Sequence, residues 1–174
     1  EEKPKNRQKI LTLSKPENKM NELWPFLEKK IKDNEQIFWV CPLIEDSKKL
    51  DFSSTTRTFE LVNKKFPNKV GFIHGALDQT EKEKVLKKFL ENKISILVST
   101  TVIEVGVDFP NATVIIIENS NKFGLAQLHQ LRGRIGRGNK SGTCILLFKN
   151  QLSQNARKRI QILKSSDDGF YIAE

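Results

Sequence analysis

The chain has 174 residues, of which 37% are hydrophobic and 29% are charged, and its formal net charge is +9. This length is enough for one domain with a hydrophobic core, and the composition is typical of a globular protein and excludes a disordered chain. No apolar run approaches the ~20 residues that a membrane-spanning helix needs, so we expect no membrane partner.

Short apolar runs alternate with amphipathic stretches in the first half of the chain. Strands are predicted at 9–14, 37–41 and 70–74. Helices are predicted at 16–33 and 53–66. Pro25 predicts a kink or a late start in the first helix, and Ser53 or Ser54 is the predicted N-cap of the second. The apolar face of the first helix comprises Met20, Leu23, Trp24, Leu27 and Ile31.

The same alternation continues in the second half. Asp78, followed three residues later by Glu81, indicates a capping box that starts a helix extending to about Glu91. Buried strands are predicted at 94–99, 113–118 and 143–148. A further helix is predicted at 125–134, and Ser153 is the predicted N-cap of the last helix. The residues of that last helix expected in the core are Ala156, Ile160 and Leu163.

Continuous apolar strands separated by helices predict an α/β fold, with a parallel sheet covered by helices on both faces. In such sheets the functional loops follow the carboxyl ends of the strands. We therefore expect "HGALD" (74–78) and "TTVIEVGVD" (100–108) at one edge of the sheet. We interpret 1–174 as a single domain cut from a longer chain, because the sequence begins without Met, and 165–174 as the start of a following segment.

The segment "QLHQLRGRIGRG" (127–138) places Arg132, Arg134 and Arg137 around Gly133 and Gly136. The planar guanidinium group suits phosphate or carboxylate, and glycine permits close approach of the backbone. This combination predicts a tightly held anion.

The excess positive charge is concentrated in 119–166, which contains no acidic residue. A one-sided basic block is the pattern expected for a polyanion partner, although a solvated basic face without a ligand has the same pattern. Its ten cations are Lys122, Arg132, Arg134, Arg137, Lys140, Lys149, Arg157, Lys158, Arg159 and Lys164.

The chain has no phosphate-binding GxxxxGK[ST] loop. The nearest approach, Gly133 to Ser141, has one residue too many before its lysine and follows a helix. We interpret the acidic ends of "PLIED" (42–46) and "IIIEN" (115–119) as strand ends, and we predict no metal site. The two cysteines, Cys41 and Cys144, are interpreted as buried thiols of a reducing compartment. The arginines are therefore predicted to act on a nucleotide bound by a different domain.

"TTVIEVGVD" followed by "QLRGRIGRG" resembles motifs V and VI of superfamily 2 helicases and translocases. Nearly the whole chain, including "FWVCPLIEDS", "IENSNKFGLAQLHQLRGRIGRG" and "SSDDGFYIA", resembles the second RecA-like motor domain of the bacterial RecG helicase family. The Mfd translocase family is the nearest alternative, since it shares "FGLAQLHQLRGR". The resemblance implies a RecA-like domain of P-loop-NTPase-like topology that lacks its own P-loop.

The resemblance also implies roles for individual residues. The catalytic group, with Arg137 as the arginine finger, would be Arg137, Arg134 and Gln130. The nucleotide-binding pair would be Gly106 and Asp108. The contacts to the DNA backbone would be Thr100, Thr101, His74 and Gly75. Arg132 is outside the superfamily pattern, so the resemblance assigns it no role.

The implied parent protein is a cytoplasmic bacterial enzyme, expected to be a monomer. It would use ATP and Mg²⁺, held mainly by a preceding P-loop lobe, and would act on branched or forked DNA with the help of a wedge domain. The fragment alone is expected to be inactive. Two other possibilities remain from the residues: a stand-alone basic nucleic-acid-binding module, and half of an RNA helicase, against which Gln130-Leu131 argues because His-Arg is usual there.

Overall fold

The computed structural model describes residues 10–42, 48–100, 109–135, 141–149 and 153–165, with the backbone alone for 48–54. The strands are β1 (Ile10–Pro16), β2 (Gln36–Cys41), β3 (Val70–Ile73), β4 (Ile96–Thr100), β5 (Ala112–Ile117) and β6 (Gly142–Phe148). The helices are α1 (Trp24–Lys32), α2 (Lys48–Lys65), α3 (Gln79–Leu90), α4 (Leu125–Arg132) and α5 (Gln154–Lys164). Two 3-10 helices span Glu17–Leu23 and Ser120–Lys122.

The six strands form one sheet in the order β1-β6-β5-β2-β4-β3, and every neighbouring pair is parallel. Alternate residues of the central strands face two separate cores. On one face, Phe38 and Ile115 pack with Phe89 of α3 and Leu128 of α4. On the other face, side chains such as Trp39 pack with α1 and α2. The predicted parallel sheet covered by helices on both faces is confirmed.

Most predicted elements are confirmed to within two residues at each end. The first predicted helix is divided, because a 3-10 helix precedes α1 and Pro25 occupies the first turn of α1, as its fixed φ favours. Asp78 and Glu81 form the predicted capping box, in which the Glu81 amide donates to Asp78 Oδ1 at 2.8 Å. Ser153 Oγ accepts from the Ala156 amide at 3.1 Å and caps α5.

One predicted boundary is wrong. The second helix begins at Lys48, not at residue 53, so Ser53 and Ser54 lie inside α2 and do not cap it. The preceding Lys-Lys-Leu sequence contains no helix breaker, which allows the helix to extend backwards. Helix α4 ends at Arg132, two residues before the predicted end, and Gly133 and Arg134 continue as a helical turn.

The loops that enter β2, β3 and β4 share a turn that the sequence analysis missed. Asn34, Asn68 and Asn92 each have a positive φ, between 62° and 65°. Asparagine tolerates this left-handed conformation and so ends a helix much as glycine does. These tight turns occupy the amino edge of the sheet, and the functional loops are expected at the opposite, carboxyl edge. Among the described helices, none has the length and apolarity needed to cross a membrane.

Candidate functional site

The carboxyl ends of β3 and β4 bring two of the predicted DNA contacts to one edge of the sheet. Ile73 and Ser99 pair in the parallel ladder, so His74 and Thr100 follow at neighbouring positions. Thr100 is 3% exposed, and its Oγ1 has no hydrogen-bond partner among the described residues. Thr101 lies outside the described residues. Contact of these residues with DNA stays a prediction. The position of His74 and Thr100 at one edge of the sheet is compatible with it.

His74 is held in a defined orientation at this edge. Its ring lies 4.6 Å from the ring of Phe72, centroid to centroid, and its Nδ1 accepts from the Ala76 amide at 3.2 Å. Burial lowers the pKa of His74 from its ordinary value, although nearby Glu81 opposes the shift. A neutral ring whose Nδ1 accepts carries its proton on Nε2. His74 is therefore a neutral donor and not a cation at neutral pH.

Gly75 is exposed, and a Cβ added at this residue would meet nothing within 4 Å. The loop therefore does not need glycine for internal packing. The turn is closed by the Leu77 amide, which donates to the His74 carbonyl at 3.2 Å. The missing side chain of Gly75 leaves room for a molecule that approaches from outside the fold. This agrees with the predicted contact between Gly75 and the DNA backbone.

The glycine–arginine segment begins at the end of α4. Gln130 is exposed on the last turn of the helix, and Arg134 is half-buried just beyond it. The segment remains helical-like after Gly133, since the Arg134 amide donates to the Leu131 carbonyl at 3.1 Å. Gln130 and Arg134 are four residues apart, so they are neighbours on one side of this turn. Arg137 lies outside the described residues.

The backbone of this segment is joined to the end of the other motif. The Phe109 amide donates to the Arg134 carbonyl at 3.3 Å, and Phe109 itself is 1% exposed. Phe109 directly follows Asp108, the last residue of "TTVIEVGVD". Gly106 and Asp108 lie outside the described residues. Phe109, the residue that follows "TTVIEVGVD", is therefore adjacent in space to the arginine segment, although 24 residues separate it from residue 134 in the sequence.

Arg132, to which the resemblance assigned no role, is a structural residue. It is 2% exposed, and its Nη1 donates to the Leu163 carbonyl at 2.7 Å and to Thr12 Oγ1 at 3.2 Å. It thus joins the end of α4 to α5 and β1. Burial raises the pKa of the Cys144 thiol to about 12, although the charge of Arg132 opposes the shift. The signal for this role was helical spacing, because Leu128 and Arg132 are four residues apart on the buried side.

Glu118, interpreted from the sequence as a strand end, is a second buried charged residue. Its Oε2 accepts from Trp39 Nε1 at 2.7 Å and from Thr58 Oγ1 at 2.8 Å. Burial raises the pKa of Glu118, and these two hydrogen bonds oppose the shift. The carboxylate joins β5 to β2 and α2, directly before Asn119, whose positive φ of 49° starts the 3-10 helix leading to α4.

A cavity of about 360 Å³ lies beside Glu118, on the α2 side of the sheet. None of the predicted site residues that the structure describes lines it. Its lining consists of Glu17, Met20, Arg57, Thr58, Leu61, Glu118 and Lys149. Within the described residues, no group of three His, Cys, Asp or Glu side chains is arranged to hold a metal ion.

Comparison with known proteins identifies the family. Residues 18–139 match the helicase conserved C-terminal domain family. The whole chain is 44% identical to ATP-dependent DNA helicase RecG of Thermotoga maritima and 42% identical to RecG of Escherichia coli K12, covering 22% and 25% of those proteins. RecG of Bacillus subtilis is 40% identical over the whole chain. The chain thus spans about a quarter of the length of these relatives.

The fold comparison agrees with the sequence comparison. The solved structure of RecG bound to a three-way DNA junction matches with a TM-score of 0.82 and 40% identity, covering 99% of this chain and 22% of that one. The yeast DEAD-box splicing factor Prp28 matches with a TM-score of 0.72 at 18% identity, covering 98% of this chain and 35% of that one, which supports the fold alone. The predicted RecA-like α/β fold is therefore confirmed, and the chain belongs to the helicase conserved C-terminal domain family as a RecG-like member.

Proposed function

We propose that this chain is the C-terminal motor lobe of an ATP-dependent DNA helicase that remodels branched DNA and stalled forks in repair and recombination. The observation that carries the proposal is the hydrogen bond from the Phe109 amide to the Arg134 carbonyl. It joins Phe109, which follows "TTVIEVGVD" in the sequence, to the arginine segment, and this link supports coupling between the two segments. A motor needs such a link between its nucleotide-sensing and DNA-contacting parts.

The arginine segment acts on a nucleotide held by the preceding lobe of the same parent chain. Arg134 is half-buried, follows exposed Gln130 by four residues, and is carried on a backbone that two hydrogen bonds fix. A guanidinium donor fits the phosphates of ATP, and the described residues include no acidic cluster suited to Mg²⁺. ATP with Mg²⁺ supplies the phosphoryl group that is transferred to water. Arg137 and Arg134 stabilise the charge that develops on it, Gln130 links them to the opposing lobe, and Gly106 and Asp108 lie near the ribose and attacking water.

The carboxyl edge of β3 and β4 contacts the DNA backbone. His74 offers a neutral N–H, Gly75 leaves room for a phosphate, and Thr100 and Thr101 offer hydroxyl groups and strand-end amides. Contacts of this kind hold a strand without reading its sequence, and a translocase requires that property.

Action on branched DNA is inferred from the relatives. The RecG structure that this chain matches is bound to a three-way DNA junction, and RecG proteins are about four times longer than this chain. The wedge that engages the branch and the P-loop lobe would therefore belong to the rest of a parent chain. We expect that parent to be a monomer in the bacterial cytoplasm.

Replacement of Arg134 in the full-length parent tests the proposal. For Arg134→Ala we expect ATP-dependent unwinding of a synthetic three-way junction to fall by about 10²-fold or more, because a charge-stabilising donor is lost. Binding of the junction without nucleotide should change less than about twofold. Arg134→Lys keeps the charge but loses the planar group, and we expect it to restore only part of the rate. Unwinding at the unsubstituted rate in Arg134→Ala would contradict the proposal.

A further inference from the structure

Four cations on or beside α5 form an exposed surface that the proposed site does not use. We name it the α5 cationic surface and define it as Lys122, Arg157, Lys158 and Arg159. Lys122, Arg157 and Lys158 are exposed, and Arg159 is half-buried. Arg159 Nη2 donates to the Asn121 carbonyl at 3.4 Å, which joins α5 to the 3-10 helix carrying Lys122. The four charges therefore belong to one continuous region.

The composition of α5 differs from that of the other lysine-rich helix on the same face of the sheet. Helix α3 alternates lysine with glutamate, and Lys87 Nζ lies 3.9 Å from Glu91 Oε2 just beyond its end. Helix α5 contains four cations and no acidic residue. A solvated face needs no excess of one sign, and α3 places two glutamates among its four lysines. The uniform charge of α5 instead complements a polyanion.

The positions of these cations are also unfavourable for the helix itself. The amino end of a helix carries a partial positive charge and is stabilised by acidic side chains. Helix α3 follows this rule with Glu81 in its first turn, whereas α5 has no acid in its first turn and has Arg157 there. Helix stability therefore does not explain the sequence of α5. An absence of acidic residues that the helix dipole does not favour agrees with a surface that meets a polyanion.

The α5 cationic surface lies at the carboxyl edge of the sheet. Helix α5 begins just after the carboxyl end of β6, and Lys122 lies just after that of β5. The predicted DNA contacts at β3 and β4 share this edge. In the order β6-β5-β2-β4-β3, four strand spacings of ~4.8 Å separate β6 from β3, or about 19 Å. A nucleic-acid backbone following the edge would reach both places.

We propose that the α5 cationic surface binds the phosphate backbone of DNA and extends the contact made at β3 and β4 along the edge of the sheet. This inference rests on the proposed function in taking DNA as the substrate. Arginine and lysine side chains that neutralise phosphates displace counterions, so the binding constant falls as salt concentration rises. The contact adds affinity and salt dependence but no sequence preference.

The test is the salt dependence of DNA binding by the full-length parent, with a fluorescein-labelled three-way junction as the probe and no nucleotide present. For the double variant Arg157→Gln/Lys158→Gln, we expect the slope of log K against log salt to become shallower by about 1.4–1.8, the loss of two phosphate contacts. The Kd at about 0.1 M salt should rise roughly tenfold. Lys122→Gln alone should change the slope by about half as much.

The matched control is Lys87→Gln/Lys88→Gln in the last turn of α3, which removes two exposed cations from the same face of the sheet but at its amino edge. Its slope should equal that of the unsubstituted parent. Equal slopes in the α5 and α3 variants would overturn the inference, and so would a weaker ATP affinity with an unchanged slope, because the surface would then serve the nucleotide. A parent that binds no DNA at all would instead refute the proposed function. If the unsubstituted parent unwinds the junction and the salt slope of Arg157→Gln/Lys158→Gln is unchanged, only the α5 contact is refuted.

Discussion

Arg132 and Arg134 lie two residues apart at the end of α4 and have opposite environments. Arg132 is 2% exposed and holds α4 against α5 and β1 through the Leu163 carbonyl and Thr12 hydroxyl. Arg134 is half-buried, and its backbone is tied to the fold by its amide, which donates to the Leu131 carbonyl, and by its carbonyl, which accepts from the Phe109 amide. The same residue type in one motif is thus fully buried within the frame at one position and partly exposed at the other. Helix geometry decides which, since two residues rotate a side chain by about 200°.

The first prediction separates the two arginines by stability. Arg132→Ala should lower the free energy of unfolding by about 3 kcal/mol, because it removes two buried hydrogen bonds of a charged group and leaves a cavity. The measurement is urea denaturation of the 174-residue chain. Arg134→Ala is the comparison, and we expect a smaller loss, because Arg134 is only half-buried and its removal leaves less of a cavity. Equal losses in both variants would show that the two environments do not differ in the way described.

The second prediction concerns the other buried charge, Glu118. Glu118→Ala should lower the free energy of unfolding by about 2 kcal/mol at neutral pH, because the Trp39 indole and the Thr58 hydroxyl lose their buried acceptor. This loss is smaller than that for Arg132→Ala, since burial of the carboxylate already disfavours its charged form. Urea denaturation at pH 7 measures it.

The free energy of unfolding also depends on pH through Glu118. Because burial raises the pKa of Glu118, the folded state binds its proton more tightly than the unfolded state. The resulting stabilisation is complete below about pH 4 and is lost as the pH rises through the raised pKa. Glu118→Gln should lack this decline, whereas the exposed control Glu83→Gln should keep it. Parallel stability profiles for the unsubstituted chain and Glu118→Gln would contradict the assignment.

The sheet was predictable because its signal is local and repeated. Apolar runs such as "IFWVC" and "TVIIIE" alternate with amphipathic helices, and only a parallel sheet buried on both faces satisfies that pattern. The capping box at Asp78 and the cap at Ser153 were predictable for the same reason. The sequence predicts the start of α2 five residues too late, because Ser53 and Ser54 carry a cap signal, although another serine, Ser47, directly precedes Lys48.

The environment of each charged residue was harder to predict. The sequence pattern of "QLRGRIGRG" gives three arginines but does not show which of them contacts Leu163. Leu163 lies 31 positions after Arg132 and comes near it only because α5 packs on α4. Glu118 was dismissed as a strand end because its two donors, Trp39 and Thr58, are 79 and 60 residues away. The resemblance supplied Gln130, Arg134 and Arg137 by motif, and their roles stay predictions.

The most direct test of the central claim is the DNA-stimulated ATPase activity of the full-length parent with Arg137→Ala, measured together with its ATP affinity. If Arg137 acts on the developing charge of the transferred phosphoryl group, kcat should fall by ~10³-fold or more while the Kd for ATP changes less than about threefold. A kcat close to that of the unsubstituted enzyme would contradict the claim that this lobe supplies an arginine to the reaction.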